Sequence, residues 1–144
     1  MFTPSQADVR KFFCDVYARQ RGGLPLDALQ TLAGQWIAEH PEYHADLADV
    51  TQALARMSEP EDGRSNPFLH LSMHLSISEQ CSIDQPRGIR QALELLTVRS
   101  DGLHQAHHEA MECLGRMLWE SQRAGLPPDG AVYLANIQQR ATRD

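Results

Sequence analysis

The stretch 66-NPFLHLSMHLSISEQCSIDQP-86 decides the fold, because it carries two conflicting signals. Leu69, Leu71, Met73, Leu75 and Ile77 alternate with His70, Ser72, His74 and Ser76, which is the period of two of a half-buried strand. Asn66 followed by Pro67 is instead a helix cap and a first turn. A strand here has no second strand with which to pair, and a lone strand is unstable in water. Every neighbouring segment reads as a helix. The sequence therefore predicts a buried helix over 67–84.

Working outward, the flanking segments repeat one pattern. Val9, Phe12, Phe13, Val16 and Tyr17 recur at helical spacing, with Thr3 or Ser5 as cap, Pro4 in the first turn and Gly22-Gly23 as the stop. A second helix carries Leu26, Leu29, Leu32, Ala33, Trp36 and Ile37 and ends before Pro41, with Gly34 tolerated inside it. A third is expected to carry Tyr43, Leu47, Val50, Leu54 and Met57 as one stripe. Residues 58-SEPEDGRSN-66 are polar, rich in turn formers and without period, and read as a linker. Beyond the central stretch, a short helix is expected from Pro86 to Ser100 and a long one from Leu103 to about Ala124, stopped by Gly125 and Pro127. Asp129 caps a last helix holding Val132, Tyr133, Leu134 and Ile137.

The expected architecture is all-α: a single-domain bundle of about six to seven helices with no sheet. Its N-terminal half spans 1–57, the linker 58–66 and the histidine-bearing half 67–144. A chain of 144 residues suits one domain and buries roughly two thirds of its unfolded surface. The net charge of −6 leaves no excess of Lys and Arg to neutralise phosphates, which argues against nucleic acid as a partner. Cys14, Cys81 and Cys113 are odd in number and lack C-x-x-C spacing, so they read as reduced thiols of a cytoplasmic protein. The N-terminus has no apolar signal-peptide core, and no apolar run approaches the ~20 residues that span a bilayer.

Chemistry concentrates in the histidines. His70 and His74 are four apart, as are His104 and His108 in 103-LHQAHHEAME-112, with Glu112 four further on. Residues i and i+4 share a helix face, so each pair presents two imidazoles to one ion. Short connections make consecutive helices antiparallel, so the helices over 67–84 and 103–124 run parallel, and if those two touch, both pairs lie at the same end of the bundle. Helical projection puts His70 and His74 beside an apolar arc of Met73, Ile77 and Cys81. His107 lies in the middle of an arc of Leu103, Met111, Leu114 and Leu118, while Glu109, Arg116, Glu120 and Arg123 face solvent. His70, His74, His104, His107, His108 and Glu112 are thus the candidate metal site. Imidazoles with one carboxylate favour Zn, Fe, Ni or Cu over Mg or Ca.

The competing reading makes these histidines internal hydrogen-bonding groups of a non-catalytic module with an unknown protein partner. H-E-x-x-H fails at its last position, and E-x-x-H is absent from the chain. His40 and His44 read as surface residues because Pro41 interrupts any helix between them. Cys81 reads as a small buried residue, Arg87, Arg90 and Arg99 as solvated charges, and Trp36 and Trp119 as core. No nucleophile elbow, P-loop or dinucleotide fingerprint occurs. Whether the protein is an enzyme, and its oligomeric state, stay open.

The runs NPFLHLSMHLSISEQCSIDQPRGIR and HHEAMECLGRMLWESQRAGLPPD, with a later YL, resemble a small bacterial family of unknown function, the domain of unknown function 1841. The resemblance covers most of the chain and is most specific from Asn66 to Leu134. Its pattern maps onto His70, His74, Gln80, Pro86, His104, His108, Glu112, Trp119, Gln122 and Tyr133. It implies the helical fold and attaches no activity.

Overall fold

Local signals fix where each helix starts and stops. The computed structural model describes residues 5–58 and 66–142, which are helical with no strand among them. Helix α1 (Gln6–Gly22) opens with Ser5, whose side chain accepts from Asp8 N while Asp8 accepts from Ser5 N. It closes at Gly23, whose φ of 67° is left-handed backbone that glycine adopts without a Cβ penalty. Helix α2 (Ala28–Ala38) starts two residues later than the Leu26 end of the expected stripe. Asp27 takes the cap there: its side chain accepts from Gln30 N at 2.8 Å, and its own N–H donates to Gln30 Oε1 at 3.0 Å. Asp27→Ala should cost about 1 kcal/mol of stability. A thermal melt lowered by about 3 °C would register that loss.

The third expected helix is broken into pieces, and for this reason the described residues hold eight α-helices rather than six to seven. A 3-10 turn (Pro41–Tyr43) leads into α3 (His44–Leu47), and α4 (Val50–Ala55) runs into a second 3-10 turn (Arg56–Ser58). The break lies at Asp49, which is extended (φ −133°, ψ 97°) so that its carboxylate can accept from Gln52 N. An apolar stripe does not reveal such a cap, because Asp competes with the helix for backbone donors.

Helix α5 (Pro67–Ile83) confirms the helical reading of the deciding stretch. Asn66 Oδ1 accepts from Phe68 N and Leu69 N as its cap. Phe68, Leu71, His74 and Leu75 are buried, a spacing of three and four, while Leu69 is 57% exposed. The strand-like alternation is therefore split between faces by the helix period. The expected arc of Met73, Ile77 and Cys81 is corrected accordingly: of these only Ile77 is fully buried, and His74 sits in the buried stripe rather than beside it.

Helix α6 (Ile89–Arg99) begins three residues after Pro86. Gly88 precedes it with φ 101°, and Asp84 Oδ1 accepts from both Gly88 N and Arg90 N. Helix α7 (Leu103–Ala124) ends at left-handed Gly125, and α8 (Gly130–Thr142) is capped by Asp129, both as expected. The linker expected at 58–66 lies, for 59–65, outside the described residues.

The chain divides into two compact units, Met1–Leu75 and Ser76–Asp144, with the division inside α5. In the first, α1 packs on α2, α3 and α4. Phe13, Val16, Trp36, Ile37, Leu47, Phe68, Leu71 and Leu75 form its core. Arg10 is buried in it, donating to Ala53 O at 2.9 Å and lying 4.7 Å over the Phe68 ring. In the second unit, α6, α7 and α8 pack on one another over Ile89, Leu93, Leu96, Ala110, Leu114, Tyr133 and Ile137. Tyr133 donates to Gln80 Oε1 at 2.6 Å, tying α8 to the end of α5. Arg90 is exposed, as expected of a solvated charge, and its guanidinium also caps α5 by donating to Cys81 O and Ser82 O, each at 2.8 Å. No helix is long and apolar enough to cross a membrane, among the described residues.

Candidate metal centre

Three histidines of the first unit come together: His40, His70 and His74. His70 and His74 lie one helical turn apart on α5, with ring centroids 4.8 Å apart and their Nε2 atoms 3.2 Å apart. His40 completes the trio, with its ring centroid 4.9 Å from each of the other two. The ligand nitrogens lie within 4.8 Å of one another. His40 is 2% exposed and His74 is fully buried, while His70 is half-buried.

The surface assignment of His40 is thus corrected, and the physical reason is the end of α2. The last carbonyls of a helix lack intrahelical partners, and Pro41 prevents the helix from continuing to supply them. His40 Nδ1 lies 2.7 Å from Trp36 O, and His44 Nε2 lies 2.9 Å from Ile37 O. A carbonyl only accepts, so Nδ1 of His40 carries a proton and donates it to Trp36 O. Metal-binding imidazoles are oriented by this same kind of bond at the second nitrogen. His44 is half-buried against the Tyr17 ring and belongs to the cap rather than to the trio. The sequence did hold a signal for His40: a histidine in the position that follows a helix C-terminus, four residues after Trp36.

Aromatic rings hold the trio in place. Trp36 stacks on His74 with centroids 4.0 Å apart and planes 13° from parallel, and Tyr43 stacks on His40 at 5.2 Å and 2°. Trp36, as expected, is core at 5% exposure, and it gives the centre both a wall and the carbonyl that orients His40.

A zinc ion with four ligands at ~2.05 Å and tetrahedral angles separates its donor atoms by about 3.3 Å. The 3.2 Å between the Nε2 atoms of His70 and His74 matches that spacing. It also suits an N–H···N hydrogen bond between two neutral rings.

In the second unit, His104 and His108 form the expected i,i+4 pair on α7, with centroids 4.6 Å apart and rings 83° from parallel. His107 points inward as expected and is 2% exposed. Burial pushes its pKa down to about 3, with His104 and His108 adding to the shift, so it is a neutral imidazole at neutral pH. Glu112 extends outward: its side chain is 68% exposed and accepts from Arg140 Nη1 at 2.6 Å. Glu109, expected in solvent, is only 26% exposed, because it accepts from Ser100 Oγ and lies 3.9 Å from Arg140. Trp119, expected in the core, is 57% exposed beneath the Arg123 guanidinium, and Leu103 and Leu118 are likewise exposed. The buried face of α7 is instead Ala106, His107, Ala110, Met111, Cys113 and Leu114.

Cys81 is half-buried, with burial pushing its thiol up to about 11, and is not among the ligand atoms that gather with the histidines. Cys14, Cys81 and Cys113 are all free.

Comparison with known proteins adds a family. No curated protein and no solved structure matches the chain. A family model described as "Domain of unknown function (DUF1841)" matches residues 5–139, nearly the whole chain, and the protein belongs to that family.

Proposed function

We propose that this is a metal-binding helical protein of the bacterial cytosol. Its ligand set is His40, His70 and His74, and its ion is a divalent transition metal, Zn, Fe, Ni or Cu. The observation that carries the reading is the trio of His40, His70 and His74. Its three rings are packed centroid to centroid at 4.8–4.9 Å, and one of them is oriented through its second nitrogen by a backbone carbonyl. Glu112, bonded to Arg140, serves as a carboxylate outside the ligand set.

Metal analysis of protein purified without a His-tag tests the proposal. About one ion per chain is expected for the native protein, and a small fraction of that for His40→Ala/His74→Ala. His70→Ala, at a half-buried position, gives the same comparison with less risk to folding. Sub-stoichiometric metal in the native protein, even after incubation with each of the four ions, would overturn the reading.

One observation favours a second reading, a protein-interaction module with structural histidines. The bonds of His40 and His44 to the α2 carbonyls, and the contact between His70 and His74, satisfy interior polar groups without any ion. That reading predicts unchanged thermal stability in chelator and in added metal.

A further inference from the structure

We infer that the groove between α1 and the α3–α4 junction docks an acidic amphipathic helix of a partner protein. Along α1, Lys11, Cys14, Ala18 and Arg21 follow one another at intervals of three and four, so they share a helix face. Leu47, Ala48 and Val50 supply the other side of the groove, which encloses about 270 Å³. Cys14 and Leu47 are buried, whereas Ala18, Ala48 and Val50 stay exposed. Burial pushes the Cys14 thiol up, so its sulfur meets the groove uncharged. Among the described residues, none of His40, His70 and His74 lines the groove, so docking there needs no ion.

Charge selects the partner. Among the described cations of the first unit, Arg10 donates to Ala53 O, Arg19 pairs with Asp15 and Arg56 pairs with Asp46. Lys11 and Arg21 form no ion pair among the described residues; Arg21 lies over the Tyr17 ring, 5.4 Å from its centroid. The carboxylates nearby are engaged already: Asp15 with Arg19, Asp46 with Arg56, and Asp49 with Gln52 N. Charges are screened beyond ~8 Å at physiological salt, so the net −6 of the chain does not cancel this local pair of cations. A nucleic acid or a lipid sheet is disfavoured, because its charge extends past the groove onto the acidic remainder of the surface.

Shape selects a helix over a small molecule. Sites for small ligands bury roughly 70–90% of the ligand. A groove whose Ala18, Ala48 and Val50 remain in solvent does not enclose one to that extent. Lys11 and Arg21 stand ten residues apart on α1, about 15 Å along its axis. A helix laid along the groove places an apolar stripe on Ala18, Leu47 and Val50, with an Asp or Glu toward each end to meet a cation.

A displayed library of random peptides of about 16 residues, long enough for four helical turns, is the probe. It is selected on the untagged native chain and counter-selected on Lys11→Glu/Arg21→Glu, whose substitutions fall on exposed residues. Peptides specific to the native chain are expected to carry apolar residues at helical spacing with Asp or Glu at both ends. A synthesised, fluorescein-labelled member, followed by anisotropy, should bind the double variant at least about tenfold more weakly than the native chain. Val50→Asp, which keeps both cations, should weaken it to a similar degree, and Arg116→Gln, on exposed α7, should leave it unchanged. Unchanged circular dichroism and melting of each variant assign these losses to the groove. Failure to select any peptide specific to the native chain, or selection of peptides without acidic residues, overturns the docking site. A native dimer in light scattering that Lys11→Glu/Arg21→Glu dissolves assigns the groove to a second copy and overturns the partner. Sodium dodecanoate that binds the native chain and not the double variant, where no peptide does, overturns it in favour of a small amphiphile.

Discussion

Untagged protein equilibrated with a divalent ion at a hundredfold excess over its dissociation constant should melt about 8 °C higher than protein held in chelator. An ion that binds only the folded chain stabilises it by RT ln(1 + [L]/Kd), about 2.7 kcal/mol at that excess. For a chain of this length each kcal/mol moves the midpoint by roughly 3 °C. The trio explains why the unfolded chain would compete poorly. His40 belongs to the end of α2 and His70 and His74 to α5, and folding brings their rings to within 4.9 Å. His40→Ala should abolish most of the shift, because it removes the nitrogen that the Trp36 carbonyl aims. Equal midpoints with metal and with chelator, measured by differential scanning calorimetry, would rule the centre out in favour of structural histidines.

Leu71→Ala should cost about 2–5 kcal/mol, and Leu69→Ala should stay within about 0.5 kcal/mol. Leu71 is fully buried in the core of the first unit, whereas Leu69, two residues away, is 57% exposed. A strand would place both leucines on one face, and a helix separates them by about 200°. The pair of variants therefore reads out the periodicity itself. Chemical denaturation with fitted midpoint and slope measures it, and similar losses for the two variants would contradict the buried face of α5. Leu71→Ala should also weaken metal retention, since it loosens the helix that carries His70 and His74.

Much of the fold was legible because helix signals are local. Caps at Ser5, Asn66 and Asp129 and stops at Gly23 and Gly125 depend on groups within a few residues of each other. The same locality made the i,i+4 pairs His70/His74 and His104/His108 legible. Where a local competitor was overlooked, the boundary moved: Asp49 divides one expected helix, and left-handed Gly88 delays the start of α6. Exposure was less legible than helicity. Leu103, Leu118 and Trp119 look like core by residue type, but a helix buries only the stripe that its neighbours cover, and α7 buries the stripe through Ala106 and Ala110.

The candidate centre divides along the same line. The sequence by itself determined an all-helical chain, its principal caps and stops, and two pairs of imidazoles each on one helix face, because the atoms involved lie within about one turn of each other. Tertiary structure decided that His40 joins His70 and His74, thirty residues away in the chain, and that Trp36 is both wall and hydrogen-bond acceptor. It decided as well that Glu112 is held by Arg140. These placements depend on how α2 packs in the core with α5 and how α8 meets α7, and no periodicity in the chain encodes which faces meet.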